Sequence, residues 1–225
     1  MLKIGHRGAA GHAVENTAQS LQKALDLKVD MIELDVHLCA SGELVVFHDR
    51  KVSRVTDSKG AIKRKTLAEI KKLHTSDNQE ILTLVEALQI INGRCGINIE
   101  LKHRGTAASL AEVIKQMTKT KEWSLDKFII SSFHHRELRR LKDLHPEIRI
   151  GLLYYRNFRS VVKKAKKMSA FSVHFNKRFM KKKLVESLQA QDIKFFVWTA
   201  NTLGDINRAK ELGVDGIITD FPELV

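Results

Sequence analysis

Cysteine and proline are nearly missing from the 225 residues: Cys39 and Cys95 are the only thiols, and Pro146 and Pro222 the only prolines. Two cysteines without CxxC or Cys/His spacing build neither a disulfide framework nor a zinc site, and they suit the reduced thiols of a cytosolic protein. No stretch rich in Pro, Ser or Gly is long enough to separate folding units, and there is no low-complexity segment, so one domain spanning 1–225 is expected. The apolar runs are too short to cross a bilayer. The first residues, MLKIGHRG, lack the apolar core of a secretory signal. A soluble, cytoplasmic protein is the expectation.

Acidic residues are outnumbered. Lys and Arg total 39 against 26 Asp and Glu, a net charge of +13. The excess is clustered at Lys163, Lys164, Lys166 and Lys167, then at Lys177, Arg178, Lys181, Lys182 and Lys183. Such clusters can attract nucleic acid or anionic lipid. No aromatic interleaving or nucleic-acid motif accompanies them, so no specific nucleic-acid partner is expected. Solvated helix faces are the commoner explanation, with peripheral contact to an anionic membrane as the rival.

What the chain does contain is a regular alternation. Short apolar runs that read as strands occupy 2–5, 31 up to a turn at 40–43, 97–101, 128–133, 148–153, 171–175, 194–198 and 216–219. Helical spacing of apolar residues fills the intervals: from a cap at Asn16 or Thr17, then 82–91, 107–117, 134–144, 158–168, 179–190 and 205–212. Between them, 50–65 is polar and basic, and Leu67, Ile70, Lys71 and Leu73 return briefly to helical spacing. Eight strands alternating with helices, without a dinucleotide fingerprint, favour a closed (β/α)8 TIM barrel over an open doubly wound sheet.

The unusual polar residues gather at the carboxyl ends of those strands, where barrels of this kind hold their chemistry. Glu33 and Asp35 alternate with Ile32 and Leu34 and so share one strand face. The turn at 40–43 is too short for a crossover helix, so 44–48 returns antiparallel, and a turn centred on Ser41 and Gly42 sets His48 opposite Asp35. Glu100 and Lys102 share a face at i and i+2. Three carboxylates from two neighbouring strands suit an oxygen-preferring cation, Mg²⁺ or Ca²⁺, and give a soft metal nothing to hold. Without a cation they need Arg7 or Lys102 for neutralisation, and the same two bases suit the oxygens of a phosphodiester. His6 and His48 can give and accept protons near neutral pH. A solvated hairpin with an incidental His–Asp contact is the alternative reading of the second strand and its return.

Eight short motifs follow in order: GHRG at 5–8, ENT at 15–17, ELDV at 33–36, VVFHD at 45–49, IELK at 99–102, SSF at 131–133, VWTAN at 197–201 and DGIITD at 215–220. Over practically its whole length the chain thereby resembles the glycerophosphodiester phosphodiesterase family. The resemblance implies a TIM barrel that hydrolyses glycerophosphodiesters to sn-glycerol 3-phosphate and an alcohol. It implies a divalent cation, Mg²⁺ or Ca²⁺, on Glu33, Asp35 and Glu100, and His6 with His48 as the acid/base pair. Arg7 and Lys102 correspond to phosphate contacts, and Trp198 with Asn201 to the wall of a glycerol pocket. Family members usually carry a small inserted subdomain after the HD motif. Here only 50–81 is available, which implies a reduced lid and a shallow site. Lysophospholipase D or sphingomyelinase D-like activity on membrane lipids would use the same residues. A noncatalytic basic binding module on an inert barrel is disfavoured by the retention of both histidines and all three carboxylates.

Overall fold

Residues 1–156 and 160–225 are described in a computed structural model. In chain order they form β1 (Leu2–His6), α1 (Ala18–Asp26), β2 (Met31–Leu38), β3 (Leu44–Val46), α2 (Leu67–Ile70), α3 (Leu84–Ile91), β4 (Gly96–Leu101) and α4 (Ala107–Met117). Then follow β5 (Phe128–Ser132), α5 (His135–Leu144), β6 (Arg149–Tyr154), α6 (Val161–Lys167), β7 (Ser172–Asn176), α7 (Lys182–Gln189), β8 (Lys194–Trp198), α8 (Leu203–Glu211) and β9 (Gly216–Thr219). All strands but β3 pair in parallel, and β1 bonds both β2 and β9, which closes an eight-stranded barrel. β3 lies outside that ring, antiparallel to β2. The expected TIM barrel with a hairpin after its second strand is the fold.

Alternation along the strands sorts side chains between two cores. Ile32, Leu34, Ile97, Ile99 and their counterparts face outward and pack with Leu21, Leu88, Leu110 and Ile114 of the surrounding helices. Each such fully buried side chain contributes about 1.5–3 kcal/mol. Inside the barrel a smaller apolar cluster forms from Ile4, Met31, Ile129, Phe196 and Ile218. Two residues further along each of those strands, on the same face, stand His6, Glu33, Ser131, Trp198 and Asp220. The lumen is therefore apolar at its floor and polar at its mouth, and period two alone carries the change. Halfway round, Gly151 leaves room for the buried His174 ring, whose Nε2 would lie 2.6 Å from a Cβ at that glycine.

Local chemistry accounts for the departures from the expected boundaries. Thr17 is the cap of α1, its side chain accepting from Ser20 N, and Asn16 is freed for another role. α3 begins at Leu84 because Thr83 and Glu86 form a capping box, while the Leu82 carbonyl is already bonded to Val46 N at 2.7 Å. α2 is a single turn, shorter than its spacing suggests. The expected start of the next basic helix at Phe158 lies outside the described residues. In the hairpin, Cys39 N bonds Glu43 O at 3.0 Å and Gly42 has φ 102, so Ala40, Ser41 and Gly42 make a three-residue loop ending in a left-handed glycine. The register is therefore Val36 with Val46 and Leu38 with Leu44. Phe47, not His48, stands opposite Asp35, and its N–H donates to the Asp35 carbonyl at 3.0 Å. The expected His48–Asp35 pairing is off by one residue.

The segment after β3 is more than a shortened lid. Bridges join Lys51 to Ala61, Thr56 to Thr75 and His74 to Glu80. Val52, Ile62, Ile70 and Ile81 pack with Cys39, Val45 and Phe47 into a separate apolar cluster. Both cysteines are buried and unbridged. Among the described residues no helix is long and apolar enough to cross a membrane.

Candidate active site

Parallel pairing places His6 beside Glu33 and Asp35 beside Glu100. One oxygen from each of Glu33, Asp35 and Glu100 lies within 4.8 Å of the others. Two cations flank this triad. Lys102 Nζ is 3.1 Å from Asp35 and 2.8 Å from Glu100, and Arg7 Nε is 3.3 Å from Asp35. Arg7 also donates its backbone N–H to Glu33 at 3.0 Å. Asn16, held at φ 61 as asparagine tolerates, donates to Asp35 Oδ2 at 3.1 Å.

The three acids respond differently to one enclosure. Burial pushes Glu33 well above the usual carboxylate range, with repulsion from Asp35 and Glu100 adding to it. Burial and then the neighbouring Asp35 push Glu100 up to about 7. For Asp35, burial acts upward too, but Lys102 and Arg7 outweigh it and hold the carboxyl at about 2. Two fixed cations thus satisfy one carboxylate and leave the other two short of positive charge. An all-oxygen triad of this spacing could hold a divalent metal ion.

Each candidate histidine is backed by an aspartate. His6 Nδ1 is 2.6 Å from Asp220 Oδ1, and His48 Nδ1 is 2.6 Å from Asp49 Oδ1. Hydrogen bonds from His6 and from Asn201 hold Asp220 ionised against the burial that would raise it. An ionised carboxylate only accepts, so Nδ1 carries the proton and Nε2 is left free. Burial lowers the His48 pKa, which favours the neutral ring.

Ion pairs bind the two halves of the mouth together. Glu15 accepts from Arg7 at 2.9 Å and from Arg54 at 2.5 Å, and Arg54 Nε donates to Asp49 at 2.6 Å. Arg54 comes from the segment after β3, which therefore positions His48 through Asp49. Sequence reasoning passed over Asn16, Glu15, Asp49, Arg54 and Asp220. Four of the five were signalled, because they stand within the ENT, VVFHD and DGIITD motifs.

The mouth opens into a cavity of about 280 Å³. His6, Arg7, Glu33, His48, Glu100 and Lys102 line one side, and Phe133, Tyr155 and Trp198 another. The Trp198 ring lies 5.8 Å from Phe133 and 6.1 Å from Tyr155. Asn98 Oδ1, Ser131 Oγ and Trp198 Nε1 are buried without a hydrogen-bond partner, and all three residues line this cavity. Buried polar atoms are rarely left unsatisfied, so a polar ligand fits here. Asp35 and Asn201 are not in the lining. Asp35 sits behind it, held by Arg7 and Lys102 of the lining, and Asn201 sits behind Asp220. Asn201 Nδ2 donates to Asp220 Oδ2, and its Oδ1 accepts the Asp220 N–H at 2.9 Å.

Residues 6–224 match the model of the glycerophosphoryl diester phosphodiesterase family. The chain is 37% identical over 238 residues to a glycerophosphodiester phosphodiesterase of Caldanaerobacter subterraneus, covering 99% of this chain and 95% of that protein. It is 34% identical over 236 residues to a glycerophosphodiester phosphodiesterase of Bacillus altitudinis, covering 99% and 96% respectively. Among solved structures, a phosphodiesterase of Oleispira antarctica in complex with the product sn-glycerol-3-phosphate superposes with a TM-score of 0.90 at 30% identity, covering 98% of this chain and 93% of that one. Barrel, mouth and whole-length similarity agree: the chain belongs to the glycerophosphoryl diester phosphodiesterase family and is a phosphoric diester hydrolase.

Proposed function

We propose that the protein hydrolyses glycerophosphodiesters to sn-glycerol 3-phosphate and an alcohol, with Mg²⁺ or Ca²⁺ on Glu33, Asp35 and Glu100. The observation that carries this reading is the meeting, around one cavity, of a carboxylate triad with two histidines that each have an aspartate behind them. When bound, the cation supplies Lewis-acid stabilisation of charge on the phosphoryl oxygens. Arg7 and Lys102 contribute fixed positive charge beside the same oxygens. Trp198, with Phe133 and Tyr155, offers an apolar wall to the carbon face of glycerol. Asn201 acts through Asp220. Residues 1–225 serve as one catalytic domain, with 50–81 an insertion in it.

The histidines divide the proton work. One accepts the proton of the attacking hydroxyl as its oxygen bonds phosphorus. The other protonates the alcohol oxygen as the P–O bond breaks. Attack by the substrate's own glycerol hydroxyl gives a cyclic phosphate, which water opens with the histidine roles exchanged. Attack by water gives product in one step. Capture of a cyclic glycerophosphate by rapid quench supports the first route, and its absence supports the second.

One observation favours a second reading, lysophospholipase D activity. Phe133 and Tyr155 are 44% and 52% exposed at the rim of the cavity, where an acyl chain could lie. Product release from glycerophosphocholine and from lysophosphatidylcholine, measured side by side with and without chelator, separates the two. Rapid, chelator-sensitive release of glycerol phosphate from the first supports the main reading. Release only from the lipid would replace it.

A further inference from the structure

A second cavity, of about 510 Å³, lies beside the catalytic one and is lined by Arg50, Lys51, Lys63, Arg104, His103 and His134, with His37 and Ala61. Among the described residues no aspartate or glutamate lines it. Its four Lys and Arg side chains face a shared hollow without a counter-charge, an arrangement that repels itself and is relieved by an anion. The wall is fixed by hydrogen bonds. His37 Nε2 donates to the His48 carbonyl at 3.1 Å, and His103 accepts from Leu38 N at 3.0 Å while its Nδ1 donates to the Arg104 carbonyl at 2.8 Å. The Lys51–Ala61 bridge and the bond from Ile62 N to Arg50 O at 3.0 Å hold the rim that bears three of the four cations.

This hollow is continuous with the catalytic mouth. A connecting cavity of about 320 Å³ shares His48, Glu100 and Lys102 with the catalytic cavity, and His37, Arg50 and His134 with the basic one. His48 stands at the junction. Trp198 and Tyr155 line the catalytic cavity and neither of the other two, whereas Phe133 also lines the connecting one. A diester whose glycerol lies against Trp198 and whose phosphorus lies by the carboxylate triad has one polar exit for its other half, past His48 toward the four cations.

We propose that the basic hollow is a subsite for a second phosphate carried by the departing alcohol, so that the preferred substrates are glycerophosphodiesters whose alcohol is itself phosphorylated. The inference rests on the reading of the preceding subsection and names the substrate class within it. Lys51, Lys63 and Arg104 are the specificity-determining cations, and none of them touches the connecting cavity or the catalytic one.

The test compares kcat/KM for glycerophosphoglycerol and for its terminally phosphorylated form. Wild type is expected to prefer the phosphorylated diester by about tenfold or more, the return from charge-assisted bonds to one added phosphate. The triple variant Lys51→Gln, Lys63→Gln, Arg104→Gln should lose that preference with kcat/KM for the unphosphorylated diester unchanged. A control carrying Lys163→Gln, Lys166→Gln and Lys167→Gln, which removes as much charge elsewhere, should keep the preference. Equal turnover of both diesters by wild type overturns the subsite, as does a preference that survives the triple variant or vanishes in the control. Failure to hydrolyse either diester would overturn the phosphodiesterase reading, and the subsite with it.

Discussion

His6 Nδ1 and Asp220 Oδ1 sit 2.6 Å apart across the seam where the last strand of the barrel closes on the first. The contact joins residues 214 positions apart in sequence. Closure of the sheet is therefore also assembly of the proposed histidine–aspartate pair.

That pairing makes a testable demand. His6→Ala and His48→Ala should each lower kcat by about 10²–10⁴ while leaving the fold and cation binding intact. Asp220→Asn should also lower kcat, by tenfold at least and by no more than the roughly 10⁴ seen when an orienting carboxylate is neutralised in a Ser-His-Asp triad. Because the aspartate acts through the ring, adding Asp220→Asn to His6→Ala should cost nothing further. Additive losses in the double variant would assign Asp220 a separate role.

Asn201 and Trp198, expected from sequence to form one wall, should separate kinetically. Asn201→Ala frees Asp220 and should act on kcat with KM little changed. Trp198→Ala removes apolar contact with bound substrate and should act mainly on KM. A rise in KM with unchanged kcat for Asn201→Ala would return that residue to the wall.

The architecture was legible because both periodicities were clean. Strand alternation set Glu33 with Asp35 and Glu100 with Lys102, and the structure places each pair at the mouth. The hairpin register was misread because a two-residue and a three-residue loop look alike in sequence. The bond from Cys39 N to Glu43 O decides between them, since a left-handed Gly42 suits either loop, and the choice moves His48 by one position. Asp220 and Arg54 escaped notice for another reason. His6 is 214 residues from Asp220 and Glu15 is 39 from Arg54, and nothing local to DGIITD or to a basic loop names that histidine or that glutamate as a partner.

Two buried histidines should make the fold acid-sensitive. Burial pushes His174 down to about 3 and His37 to about 4, whereas an unfolded chain protonates histidine near 6.5. Depressed folded values mean that the unfolded state binds more protons below about 6.5. Their stabilising effect is complete above that pH and is lost as pH falls toward 4 and then 3, by up to about 1.4 kcal/mol per pH unit for each histidine. Urea midpoints of wild type and His174→Gln, compared from pH 7 to 5, should converge as pH falls, since contributions common to both cancel. A difference independent of pH would exclude the His174 contribution.

Glu33→Gln, Asp35→Asn and Glu100→Gln should each weaken cation affinity and lower turnover, in a way that higher Mg²⁺ or Ca²⁺ partly restores. Asp35→Asn should be the most disruptive to folding, because it leaves Lys102 and Arg7 buried beside a neutral group. Thermal melts of the three metal-free variants check that order. It fails if Asp35→Asn melts no lower than the other two.

The most direct measurement titrates Mg²⁺ or Ca²⁺ into exhaustively chelated protein, following binding by calorimetry and glycerol phosphate release from glycerophosphocholine in the same samples. Binding and turnover should rise together with one midpoint in the wild type. Both should shift together to higher cation concentration in Glu33→Gln and Glu100→Gln. Full turnover before any cation is added, or a binding midpoint unmoved by either substitution, would contradict the assignment of this carboxylate triad as the metal centre of the enzyme.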